Sequence, residues 1–194
     1  TENGVVIKSD TVNLKISFYS NNIVRVLKWN NNSTEEKKSL VVNADGSNKI
    51  SLSVVENDDS LTISSSSMKI VVNKSNLSIH YLNIKNKLLL SETGTAKFNP
   101  YVSKSDTAYS VRQDFELSQD EAVYGLGQHQ YGYLNYRGKE VKLVQTNTDA
   151  VSPFLISTNS YGILWDNYSK TIFNDEGKTT YFWSDVADNI DYYF

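Results

Sequence analysis

With 194 residues, 39% of them hydrophobic, the chain is long enough for one domain with a sizeable core. Nineteen basic against twenty-two acidic residues leave a net charge of -3 with no sustained basic stripe, which argues against nucleic acid as a partner. The lack of cysteine removes disulfides and thiol catalysis and is compatible with an exported bacterial protein; no apolar run approaches the ~20 residues of a membrane-spanning helix.

Taken in chain order, the dominant period is two. The opening "TENGVVIKSD" is polar and lacks a signal peptide's apolar core. In "LKISFYS" Leu14, Ile16 and Phe18 alternate with polar neighbours, in "KISLSVVE" Ile50, Leu52 and Val54 do, in "MKIVVNK" Met68, Ile70 and Val72, and in "LSIHYLN" Leu77, Ile79 and Tyr81. Such alternation puts one set of side chains on one sheet face, which predicts half-buried strands. Between these runs lie turn formers, "NADGSN" at 43–48, "ENDD" at 56–59 and "NKSN" at 73–76, and the mixed-sign "EEKK" at 35–38 reads as a solvated loop. Further strands are expected at 109–117, 140–146, 154–159, 161–167, 179–184 and 190–194, with "STNSYG" (157–162) as a hairpin turn. No long segment has a helical period, so the fold class is all-β, an antiparallel sandwich or barrel. Pro100 and Pro153 interrupt no alternating run, as expected of residues that open a strand or sit at an edge. The last residues, "DNIDYYF", still alternate, which reads as a strand continuing into a longer protein.

Chemistry-bearing residues are few. Four of the nine glycines fall in "AVYGLGQHQYGYLNYRGKEV" (122–141), at Gly125, Gly127, Gly132 and Gly138. This is not a dinucleotide fingerprint; the glycines read as a backbone that takes positive φ or approaches another strand closely, with a binding-site wall as the alternative. His80 and His129 have no ligand-spaced companion, so no metal site is expected. His80 sits opposite Ile79 and Tyr81 in a strand pattern and is expected to face solvent. Most acids fall in turns, but Asp149 follows a strand and precedes a proline-led one. A carboxylate there can accept charge-assisted bonds from two sugar hydroxyls, or from its own backbone in an Asx-type turn.

The segment "VYGLGQ" (123–128) followed by "NTDAVSPFLISTNSYGILWDN" (147–167) resembles the N-terminal β-sandwich of glycoside hydrolase family 31. In that family a Y-G-L-G-E/Q turn precedes an N-x-D segment, a P-F-L-x-S strand and a Y-G-x-x-x-D-N strand. Here the four are Tyr124 to Gln128, Asn147 with Asp149, Pro153 to Ser157, and Tyr161 to Asn167. Gln128 stands where the family often has Glu, and "GLGQHQ" resembles the α-xylosidase-like bacterial members. The strong resemblance covers residues 119 to 194; residues 1 to 118 agree in strand pattern.

The resemblance implies a galactose-mutarotase-like supersandwich over residues 1–194, a single domain. It implies a catalytic (β/α)8 barrel, absent from this chain, that carries both catalytic aspartates and cleaves α-linked glucosides or xylosides with retention. Its expected partners are that barrel and an α-linked oligosaccharide, with no cofactor. It gives Asp149 contact with substrate hydroxyls and makes Asn147, Gln128 and His129 substrate-binding candidates in the same loops. A barrel needs ~250 residues with strand–helix alternation, so the chain alone is expected to be inactive. Two other readings are a free-standing carbohydrate-binding module and a mutarotase-like epimerase. The first needs an exposed aromatic platform, although Trp29, Trp165 and Trp183 all read as core. The second needs a histidine and a carboxylate held together.

Overall fold

The computed structural model describes residues 3–33, 38–44, 49–103 and 106–194, without the side chains of 102, 103, 106 and 107. The expected loop at 35–38 and turn at 43–48 lie largely outside these residues. Sixteen strands run through the described residues, and there is no helix among them. In chain order they are β1 (Gly4–Ile7), β2 (Val12–Ser20), β3 (Ile23–Asn30), β4 (Ser53–Glu56), β5 (Ser60–Ser64), β6 (Met68–Asn73), β7 (Ile79–Asn83) and β8 (Leu88–Ser103). There follow β9 (Asp106–Glu116), β10 (Val123–Gln128), β11 (Glu140–Leu143), β12 (Ala150–Ser157), β13 (Tyr161–Trp165), β14 (Thr171–Asn174), β15 (Thr180–Ala187) and β16 (Asn189–Tyr193).

The strands form two antiparallel sheets, as the alternation predicts. One has seven strands in the order β1-β2-β3-β16-β13-β12-β10, the other nine in the order β11-β14-β15-β9-β8-β7-β6-β5-β4. Their facing sides make the core. Leu14, Ile16 and Phe18 of β2 are fully buried, as are Ile70 and Val72 of β6, Ile79 and Tyr81 of β7, and Trp165 of β13. A polar chain crosses this apolar layer and ties the sheets together. Lys28 Nζ donates to Glu92 Oε2 at 2.6 Å and to Gln113 Oε1 at 3.0 Å, while the Tyr192 hydroxyl donates to Glu92 Oε1 at 2.5 Å. The Tyr81 and Tyr192 hydroxyls share a further bond of 2.6 Å. Burial pulls the Lys28 ammonium below its ordinary pKa, against the opposing pull of Glu92. Burial also pushes both phenols well above theirs, helped by the Glu92 charge.

Four details differ from the sequence reading. The strand expected from residue 49 begins at Ser53, and Val54 is 50% exposed, because β4 is the outermost strand of its sheet and all four of its residues face water. His80 is half-buried, with Nδ1 2.9 Å from Ser91 Oγ. Trp29 and Trp165 are buried, but Trp183 is half-buried, with Lys170 Nζ 5.4 Å from its ring centre. Both prolines lie inside strands and open neither, each at a stretch that lacks a registered neighbour on at least one side. Pro100 is in the part of β8 beyond its pairing with β7, and Pro153 is in the part of β12 that has no registered partner on either side. The hairpin turn is as expected: Ser157 pairs with Tyr161, and Ser160 takes φ +64°.

Candidate functional site

The glycine-rich stretch forms β10, the edge of the seven-stranded sheet, and the reason for its glycines is local. Gly125 pairs with Leu155 and Gly127 with Val151, so three residues of β12 lie opposite Leu126 alone. The backbone accommodates this bulge with φ +102° at Gly125, +61° at Leu126 and +97° at Gly127. A side chain at Gly127 would begin 2.2 Å from the Ala150 carbonyl oxygen, and one at Gly125 would begin 2.5 Å from that of Phe154. Positive φ and close approach therefore both hold at these two glycines.

The start of β10 is pinned from below. The buried Glu121 carboxylate accepts from Ser118 N at 2.9 Å, Ser157 Oγ at 2.5 Å, Asn159 Nδ2 at 3.1 Å and the Tyr161 hydroxyl. Arg137 closes the far end of the next loop, donating through Nε to Asp175 at 2.8 Å and through Nη1 to the Ser118 carbonyl at 2.7 Å.

The bulge brings His129, the residue after β10, against Asp149, the residue before β12, across twenty positions of sequence. His129 Nδ1 lies 3.2 Å from Asp149 Oδ1, and Nε2 lies 2.9 Å from the Leu126 carbonyl oxygen. The other carboxylate oxygen, Oδ2, accepts from Thr146 Oγ1 at 2.8 Å and from Thr148 Oγ1 at 3.4 Å. The Thr146 bond, with smaller help from His129 and Thr148, holds the Asp149 carboxyl below the usual carboxylate range. The His129 side chain is wholly buried, whereas that of Asp149 is 19% exposed.

Around the histidine is an aromatic wall. Tyr131 stacks on it with ring centres 5.0 Å apart, Tyr136 meets it edge-on at 6.2 Å, and Tyr133 continues the stack from Tyr131 at 5.6 Å. Of the four candidates, the structure joins Asp149 and His129. Gln128 is exposed and pairs through its backbone with Ala150; Asn147 is exposed at the loop tip. Thr146 was missed by the sequence reading, although its signal was present: hydroxyls at 146 and 148 alternate around Asn147 in "QTNTD".

The arrangement offers an ionised, partly exposed acceptor. It does not offer a proton shuttle, because both His129 nitrogens are engaged and the ring is out of contact with solvent, which weighs against the epimerase reading. Nor do the tryptophans make a platform for sugar rings. Among the described residues no group of three or more His, Cys, Asp or Glu could hold a metal, and no helix is long and apolar enough to cross a membrane. Nearby, the outer face of the same sheet edge is apolar: Tyr124 is 41%, Phe154 41% and Ile156 49% exposed. It leads into a hollow of about 450 Å3 between Phe154, Leu164 and Tyr193 and the chain at Val42 and Ala44.

A family model described as the glycosyl hydrolase 31 N-terminal galactose mutarotase-like domain matches residues 13–174. The α-xylosidase of Saccharolobus solfataricus is 36% identical over 193 residues, which cover 94% of this chain and 26% of that protein. The structure of the family 31 α-xylosidase from Xanthomonas citri superposes with a TM-score of 0.81 at 29% identity, over 89% of this chain and 19% of that one. A family 31 α-xylosidase from a soil metagenome, solved with xylose, gives a TM-score of 0.85 at 26% identity, over 100% of this chain and 31% of that one. The chain thus spans a third or less of the length of these relatives.

Proposed function

Since this chain belongs to the glycosyl hydrolase 31 N-terminal galactose mutarotase-like domain family, we propose that it serves a retaining α-glycosidase of the α-xylosidase or α-glucosidase type. It packs on a catalytic barrel outside this chain and supplies the Asp149 loop to the substrate site. The observation that carries this reading is the Asp149 carboxylate itself. It is kept ionised by Thr146, fixed by His129 and left partly open, which is the form in which a carboxylate accepts from sugar hydroxyls. The exposed apolar strip of Tyr124, Phe154 and Ile156 lies on the adjoining sheet edge and suits burial against that second body. The α-xylosidase names of the relatives favour a xyloside substrate.

The chemistry belongs to two carboxylates ~5–5.5 Å apart in the barrel, and this chain adds binding at the rim. The test is turnover of p-nitrophenyl α-xyloside and α-glucoside by this chain and by the full-length protein. Hydrolysis by the full-length protein and none by this chain is expected. Hydrolysis by this chain alone, or by neither, would contradict the assignment.

A further inference from the structure

We propose that His129 is doubly protonated in its native loop and acts as a positioning residue, an imidazolium that orients the Asp149 carboxylate instead of touching substrate. The Leu126 carbonyl oxygen can only accept, so its 2.9 Å contact with Nε2 requires a hydrogen on that nitrogen. On the other side of the ring, Nδ1 lies 3.2 Å from Asp149 Oδ1. That oxygen belongs to a carboxyl which the Thr146 bond holds in its ionised form, so it too can only accept. A neutral imidazole has one N–H and would turn a lone pair towards one of these two acceptors. The imidazolium donates to both.

Burial of the ring opposes a charge there, and its neighbours act the other way. Tyr131 lies parallel to the imidazole, with ring centres 5.0 Å apart and 6° between planes, and so presents its negative π face. Burial, with the charge of Asp149 adding to it, pushes the Tyr131 hydroxyl above its ordinary pKa, and burial does the same to Tyr136. Both remain neutral phenols. Lys139 is placed beyond the stack, with its Nζ 5.3 Å from the ring centre of Tyr133. Asp149 is then the charge that His129 meets directly among the described residues. With Nδ1 on one oxygen and Thr146 on the other, the carboxylate is held against rotation. Among the described residues Oδ1 meets His129 alone and so keeps lone-pair capacity for a ligand's hydroxyl, whereas Oδ2 already accepts from both threonines.

The substrate role of Asp149 rests on the reading proposed above; the proton count on His129 is read on this chain without substrate, so the two fail separately. The experiment is a pH titration from about 5 to 9 of the chain labelled with 15N-histidine and uniformly with 15N, the His129 ring signals being those lost in His129→Gln. Two ring N–H groups are expected wherever the amide signals of Thr146, Thr148 and Asp149 hold their native positions. Loss of one ring proton should move those amides at the same midpoint. His129→Gln should abolish that step in the loop while the amides of β12 and β13 keep their positions. Asp149→Asn should turn the ring to a neutral single tautomer at a pH where the parent chain holds both protons. A ring that carries one proton while the loop amides stay native overturns the proposal, as does a loop that ignores the ring's titration.

Discussion

Lys28 and Glu92 meet between the sheets with side chains 1% and 0% exposed; His129 and Asp149 meet at the rim, the histidine equally buried but the carboxylate 19% exposed. In each pair a basic side chain lies against a carboxylate that also accepts from a hydroxyl, Tyr192 in the core and Thr146 at the rim. The difference is how much of the carboxylate is closed off. Glu92 has every direction filled by its own fold, so removing it leaves a charge stranded in a medium of low dielectric. Asp149 keeps one side open, so its hydrogen-bonding capacity is available to something outside the chain. The first pair should matter to stability and the second to binding.

The largest effect should come from the sealed pair. Glu92→Ala strands the Lys28 ammonium and should cost about 3–5 kcal/mol, read as a fall in the urea midpoint. The double change Lys28→Met with Glu92→Leu should cost much less, because no charge is left behind. If the single and double variants lose the same stability, the pair is not coupled and the comparison breaks. Next in size is Gly127→Ala. With φ at +97° and the new carbon 2.2 Å from the Ala150 oxygen, backbone strain alone should cost about 1–3 kcal/mol, and the His129–Asp149 contact should loosen with it. An alanine tolerated there without change would mean that the bulge does not fix the loop.

A smaller effect of opposite sign is expected at Asp166. It is 1% exposed, and neither carboxylate oxygen has a hydrogen-bond partner among the described residues, although its N–H donates to the Asp191 carbonyl oxygen at 2.8 Å. Asp191 by contrast holds Arg25 through two bonds, of 2.9 and 2.7 Å. Asp166→Asn replaces a buried carboxyl that has no partner among the described residues and should raise stability by about 1 kcal/mol, whereas Asp191→Asn should lower it. A drop in the urea midpoint for Asp166→Asn would place that carboxylate among the stabilising ones.

How far the sequence discloses this molecule depends on how many faces each strand hides. β2 and β6 have one wet face, so Leu14, Ile16 and Phe18, or Ile70 and Val72, alternate with polar residues and the strands are legible. β3 hides both faces: Val24 and Val26 point into the core, while Arg25, Leu27 and Trp29 are buried on the other side. With no polar alternation it gives no period-two signal, and the sequence places only its Trp29 in a strand and in the core. β10 is obscured differently, because its glycines answer to positive φ and close approach and leave few side chains to alternate. Asp149 could be found from its N-x-D setting between strands. Its contact with His129 could not, because it depends on a bulge that sets three residues of β12 against one of β10, a register that neither strand's pattern encodes.

The most direct test of the open carboxylate is Asp149→Ala in the full-length protein, with kcat/KM on p-nitrophenyl α-xyloside and the urea midpoint measured on the same preparation. A fall in kcat/KM of roughly 10²-fold or more with an unchanged midpoint is predicted. Wild-type kcat/KM in that variant would contradict the claim that this chain's loop reaches the substrate.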